Sequence, residues 1–120
     1  MEPQILIIED EAIIALDIAR MVKKFGYSVA GIADGMEEAL LLAGEKKPSL
    51  ALVDIKLNGS ADGIEIAKML AGKYAVPVVF ITAYSDEGIT ARAMQVHPAG
   101  FLHKPLNKSD FEATLKAILG

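Results

Sequence analysis

The chain has 120 residues, 52% of them hydrophobic, no cysteine, and a formal net charge of −4 from 12 basic and 16 acidic residues. Such a length suits one domain over residues 1–120, with a core burying about two thirds of the unfolded chain's surface, and the apolar content argues against disorder. The composition excludes disulfides and thiolate metal sites, and the acidic balance argues against a nucleic-acid surface. No apolar run approaches the ~20 residues of a membrane span, and no basic leader precedes an apolar segment, so a cytoplasmic setting is expected.

Short apolar runs alternate with amphipathic stretches. Ile5 to Ile8 is continuous and mostly β-branched, the pattern of a strand buried on both faces. Ile14, Ile18, Met21, Val22 and Phe25 recur at spacings of three and four, predicting a helix from about Glu11 to Lys24, closed by Gly26. Ser28 to Ala33 reads as a second strand. A second helix is expected from Gly35 to about Ala43, ended by Gly44 and Pro48. Leu50 to Val53 is a third buried strand ending at Asp54, and the loop Asn58 to Ala61 leads into a helix from about Asp62 to Tyr74. Val78 to Ile81 is a fourth strand ending at Thr82. Asp86 is placed to cap a helix from about Glu87 to Val96. Gly100 to His103 forms a fifth strand, followed by Lys104-Pro105 and a last helix from about Lys108 to Leu119, with Asn107 as its candidate cap. Five strands alternating with five helices predict an α/β fold, a doubly wound parallel sheet covered on both faces.

The polar residues at the strand ends are the informative feature. Asp10, Asp54, Thr82 and Lys104 follow the first, third, fourth and fifth apolar runs. In open parallel sheets ligands bind outside the carboxyl ends of the strands, so these four groups are expected on one rim. Any one alone is weak: acids favour helix starts, Thr is an ordinary strand residue, and lysines are mostly solvated. Together they supply a carboxylate pair, a hydroxyl and an ammonium. Carboxylates crowded together repel, and one takes up a proton unless a cation compensates. A hard divalent ion such as Mg²⁺, with oxygen ligands, is the natural partner. A carboxylate beside it can act as nucleophile toward a phosphoryl group, with Thr82 and Lys104 binding the remaining phosphoryl oxygens.

These residues, Glu9-Asp10-Glu11, Asp54, Thr82-Ala83 and Lys104-Pro105, occur in the order found in the receiver domains of two-component response regulators, which the chain resembles from Ile5 to Leu119. The single-domain chemotaxis regulator is the nearest analogue in size. The resemblance implies a flavodoxin-like (βα)5 fold with strand order 2-1-3-4-5. It implies Asp54 as phosphoacceptor and Asp10 and Asp54 as ligands of Mg²⁺, with the backbone carbonyl of Lys56 as a further ligand and Glu9 assisting through water. It implies Thr82 and Lys104 as phosphoryl contacts, Thr82 and Phe101 as the switch, and a cis Lys104-Pro105 bond. The donor implied is a sensor histidine kinase or a histidine phosphotransfer protein. The output implied is the face formed by the fourth helix, fifth strand and last helix, including Arg92, His97, Lys108 and Lys116, which is also a route to a homodimer. The chemistry implied is self-phosphorylation and self-dephosphorylation, not turnover of an external substrate.

Some positions depart from the common family pattern. Glu9 stands where Asp is frequent, Asn58 where Pro is frequent, and Phe101 where Tyr is frequent, while Asp62-Gly63 comes one residue late. Lys56 and Tyr84, two residues beyond Asp54 and Thr82, occupy positions similar to those that tune phosphoryl lifetime in the family, and the bulky Tyr84 is expected to restrict the attacking water and lengthen that lifetime. Two other functions compete. A Mg²⁺-dependent aspartyl-nucleophile phosphohydrolase would need an acid two residues after Asp54, where Lys56 stands. A binding module of the same fold would not need the rim intact. No glycine-rich phosphate loop follows the first strand. His97 and His103 lack metal-ligand spacing and are expected at the surface or a strand edge, and Met21, Met36, Met69 and Met94 in the core.

Overall fold

The computed structural model describes residues 2–57, 62–83 and 87–120. The elements, in chain order, are β1 (Gln4–Ile8), α1 (Ala12–Lys24), β2 (Ser28–Ala33), α2 (Met36–Lys46), β3 (Leu50–Asp54), α3 (Gly63–Tyr74), β4 (Val78–Thr82), α4 (Glu87–Met94), β5 (Gly100–His103) and α5 (Lys108–Leu119). The strands form one parallel sheet in the order β2-β1-β3-β4-β5, the expected doubly wound, flavodoxin-like arrangement. Asp86 and the stretch 58–61 lie outside the described residues, as does Tyr84.

The central strands are apolar on both sides because both sides are covered. Side chains alternate across a strand. Leu6, Ile8, Ala51, Val53, Val78 and Phe80 therefore face one way and pack with α2, α3 and Ala93 of α4. Ile5, Ile7, Leu50, Leu52, Val79 and Ile81 face the other way and pack with α1 and α5 through Ile18, Val22, Phe111 and Leu115. This explains why continuous apolar runs, and not alternating ones, mark these strands.

Helix ends follow local chemistry, with one departure from expectation, in α2. Gly26, at φ +95°, ends α1 in the left-handed region that glycine adopts without strain. Asn107 caps α5 by accepting a hydrogen bond from the Asp110 N–H at 3.1 Å. Helix α2 does not stop at Gly44 but runs to Lys46, and Lys47 closes it in the left-handed conformation just before Pro48. A single glycine inside a helix costs only ~1 kcal/mol, whereas proline cannot continue one, so the stop comes from Pro48. Met69 and Met94, expected in the core, are 39% and 52% exposed on the outer sides of α3 and α4, while Met21 and Met36 pack against the core. His97 and His103 are exposed, as expected.

Candidate functional site

The sheet register sets the rim. Ile8 lies opposite Val53, Asp54 opposite Ile81, and Thr82 opposite His103. The next residue along β1 is Glu9, so Glu9 and Asp54 leave their strands at the same level. Thr82 ends β4 one step further on, and Lys104 follows His103, its N–H donating to the Thr82 carbonyl at 2.8 Å. The rim therefore steps upward from Glu9 and Asp54 through Thr82 to Lys104. The reversal of strand order lies between β1 and β3, the two strands that deliver the acids.

Lys104 reaches back down this stair. Its Nζ donates to Asp54 Oδ2 at 2.9 Å and to Glu9 Oε1 at 3.1 Å. Three of the groups expected to meet, Asp54, Glu9 and Lys104, are thus in direct contact, and Asp10 joins them. One carboxylate oxygen from each of Glu9, Asp10 and Asp54 lies within 4.8 Å of the others. Asp54 is held locally as well, since the Lys56 N–H donates to its Oδ1 at 3.2 Å.

Glu9 has a more central place than its sequence position suggested. It is 2% exposed, more deeply buried than Asp54 at 8%. Its longer side chain turns into the cluster and meets Lys104. The helix-start reading does not fit it, because Glu9 precedes α1 by three residues, and Glu11, the N-cap, makes no side-chain cap bond. Burial and the adjacent Asp54 carboxylate push the Glu9 carboxyl up to about 8, against the lowering effect of Lys104. Burial likewise opposes the charge of Lys104, but its bonds to Asp54 and Glu9 outweigh that and hold the ammonium above the ordinary lysine range. This is the crowding anticipated for acids sharing one rim: one ammonium does not compensate three carboxylates.

The donor set fits a hard divalent cation. Three carboxylates converge, and Glu9 Oε2 is buried with no hydrogen-bond partner among the described residues. An oxygen-only set with partly exposed Asp10 beside it, open to water ligands, suits Mg²⁺ better than a softer metal.

The other expected residues have definite places. Thr82 is buried at the end of β4, 1% exposed, and Lys56 is exposed just beyond Asp54. Phe101 is half-buried on β5, its ring centroid 6.0 Å from that of Phe80 and 5.3 Å from that of His103. The Lys104-Pro105 bond is cis. Lys116, expected on the same face as Arg92, instead lies across α5, its Nζ donating to the Phe25 carbonyl at 3.1 Å and standing 4.9 Å from the Tyr27 ring centroid. Arg92 is ion-paired with Asp62 at 3.1 Å, tying α4 to the start of α3. Sequence reasoning missed that link, since it joins residues 30 apart and nothing local marks it.

Residues 5–116 match the family model described as the response regulator receiver domain. The phyllosphere-induced regulator PhyR of Methylorubrum extorquens is 37% identical over 120 residues, covering 99% of this chain and 44% of that protein. The transcriptional regulatory protein PdtaR of Mycobacterium tuberculosis is 38% identical over 107 residues, covering 89% of this chain and 52% of that protein. The chain thus spans about half the length of these relatives. Among solved structures, the signal receiver domain of a modulated diguanylate cyclase from Desulfovibrio desulfuricans superposes with TM-score 0.92 at 35% identity, covering 99% of this chain and 94% of that one. The receiver domain of PhyR from Erythrobacter litoralis does so with TM-score 0.86 at 32% identity, covering 98% and 90%. With a family match across nearly its whole length and a rim of acids and lysine at the carboxyl ends of its strands, the chain belongs to the receiver domains of two-component response regulators.

Proposed function

We propose that residues 1–120 act as one phosphoacceptor receiver domain in which Asp54 takes a phosphoryl group from the phosphohistidine of a sensor histidine kinase or a phosphotransfer protein, in the cytoplasm. The observation that supports this most directly is the placement of Lys104 Nζ on Asp54 Oδ2 at 2.9 Å within a cluster of three acids. Among the described residues no helix is long and apolar enough to cross a membrane.

In this reading an Asp54 carboxylate oxygen attacks phosphorus, the donor's N–P bond breaks, and the departing imidazole keeps the electron pair and takes a proton. Lys104 moves from the free carboxylate to a phosphoryl oxygen, and Thr82 donates its hydroxyl to another. Asp10, Asp54 and the Lys56 carbonyl would hold Mg²⁺, with Glu9 assisting through water. When bound, that ion offsets the negative charge of the carboxylates and the incoming phosphoryl oxygens. Because Thr82 and Phe101 lie on adjacent strands, a shift of Thr82 toward phosphate opens space for the Phe101 ring and biases the surface of α4, β5 and α5. That surface is the proposed contact for an output partner or a second copy.

The test is incubation with Mg²⁺ and acetyl phosphate, followed by intact mass. One added phosphoryl group per chain, absent in Asp54→Asn, is the expected result. Multiple turnovers of phosphate esters would point to a phosphohydrolase. No label with acetyl phosphate or any phosphohistidine donor would point to a binding module.

A further inference from the structure

Gly63, the first residue of α3, lies directly against the backbone of Asp54 and Ile55. Its N–H donates to the Ile55 carbonyl at 2.8 Å. A Cβ at this position would overlap the Asp54 carbonyl oxygen and stand 2.8 Å from the Asp54 carbonyl carbon and from Ile55 Cα. All three obstacles are backbone atoms, which cannot swing aside as a side-chain tip does. By contrast, a Cβ at Gly31 would meet only the end of the Leu42 side chain, and one at Gly72 would meet nothing within 4 Å. The requirement at 63 is one of space, since its φ is not in the left-handed region.

The first turn of α3 is pinned from its other side too. Asp62 caps the helix by accepting from the Glu65 N–H at 2.9 Å, and the same carboxylate is ion-paired with Arg92 of α4. The peptides from Asp54 to Lys56 are thereby pressed between the sheet, where the Ile55 N–H donates to the Ile81 carbonyl at 3.1 Å, and the helix start. We propose that Gly63 is a positioning residue for phosphoryl transfer: by lacking a side chain it lets α3 lie directly on the Asp54 peptide, and the contact made there by its N–H on the Ile55 carbonyl fixes the direction of the acceptor carboxylate. This rests on the reading of Asp54 as phosphoacceptor.

The experiment compares the full chain with Gly63→Ala and, as a control on the same helix, Gly72→Ala. Labelling by acetyl phosphate and Mg²⁺ is followed per folded molecule, with amide resonances of residues 54–56 recorded by NMR. In labelling, Asp54 oxygen bonds to phosphorus and acetate leaves. A displacement of the acceptor by about 1 Å lowers such rates on the order of a hundredfold. Gly63→Ala is therefore expected to label at least tenfold more slowly, with the amides of 54–56 shifted, while Gly72→Ala stays within twofold of the parent chain. Folded Gly63→Ala that labels at the parent rate overturns the proposal. Should Gly63→Ala not fold, a ligated chain with glycolic acid at position 63, lacking the N–H but adding no Cβ, decides it: slower labelling supports the role, and parental labelling overturns it. Failure of the parent chain itself to label is a different outcome, which sinks the phosphoacceptor reading and this role with it.

Discussion

Replacing Lys104 by Met keeps the aliphatic stem and removes the only cation touching Asp54 and Glu9 among the described residues. The ammonium lies 2.9 and 3.1 Å from the two carboxylates, and the side chains of Lys104, Asp54 and Glu9 are 20%, 10% and 1% exposed. Breaking a buried ion pair by deleting one partner costs about 3–5 kcal/mol. The partial exposure of Lys104 places this case near the low end, about 3 kcal/mol. For a domain of this size that lowers the melting temperature by roughly 10 °C. The assay is thermal unfolding followed by circular dichroism, in EDTA and in excess MgCl₂. Ligand at a hundred times its Kd stabilises by about 2.7 kcal/mol. Lys104→Met should gain more from Mg²⁺ than the parent, because no ammonium then competes for the same carboxylates. Equal melting of the two chains in EDTA, or equal gains on adding Mg²⁺, would refute the electrostatic account of this cluster.

Asp62→Ala removes both the cap of α3 and the partner of Arg92, and should cost about 1.5 kcal/mol in urea unfolding at pH 7. Burial alone would raise the Asp62 carboxyl, but the Glu65 N–H and the Arg92 guanidinium outweigh it and hold it below the usual carboxylate range. Its contribution is therefore present above the unfolded value of ~3.9 and lost as pH falls through the lower folded value, so the gap between the two chains should close in acid. A gap that persists at the lowest pH at which both chains fold would count against this. Tyr27→Phe should leave stability unchanged or raise it by up to about 1 kcal/mol, because the buried Tyr27 hydroxyl lacks a hydrogen-bond partner among the described residues. A loss above 1 kcal/mol on the same urea assay would reveal a partner, such as a buried water.

Much of the fold was legible because each central strand is a closed statement in sequence. Leu50 to Val53 is apolar without a break, which only a strand covered on both faces tolerates, and Asp54 then falls at the sheet's carboxyl rim by counting. Asn107 announced its cap for a similar reason: the signal and its consequence lie three residues apart. What failed to show was set by distant partners. Gly44 looked like a helix stop, yet the stop belonged to Pro48. Lys116 looked like part of the α4 side, yet it turns across α5 to the Phe25 carbonyl. Asp10 was favoured over Glu9, although Glu9 directly follows Ile8 and stands level with Asp54 in the register. Gly63 was marked only as part of the Asp62-Gly63 pair, and nothing local showed its closeness to Asp54, since the backbone it crowds belongs to another element.

The position of Glu9 changes how the charge of the site is understood. Three carboxyl groups share one ammonium here, and burial with the adjacent Asp54 already pushes the Glu9 carboxyl up to about 8, so near neutral pH the cluster offsets part of its charge by holding a proton on Glu9. On the proposed function, a phosphoryl group would add more negative charge beside a Glu9 that is almost wholly removed from water. Lys104 alone cannot offset that, and it is already divided between two carboxylates. The site is thus built with a deficit of positive charge that a divalent cation matches in size and in ligand type. On the proposed function, a divalent cation held by these carboxylates would also weaken the hold of Lys104 on Asp54, which couples cation binding to release of the nucleophile. In that same reading, the Lys104 contact to Asp54 belongs to the resting site, and a cation bound beside Asp54 would compete with it.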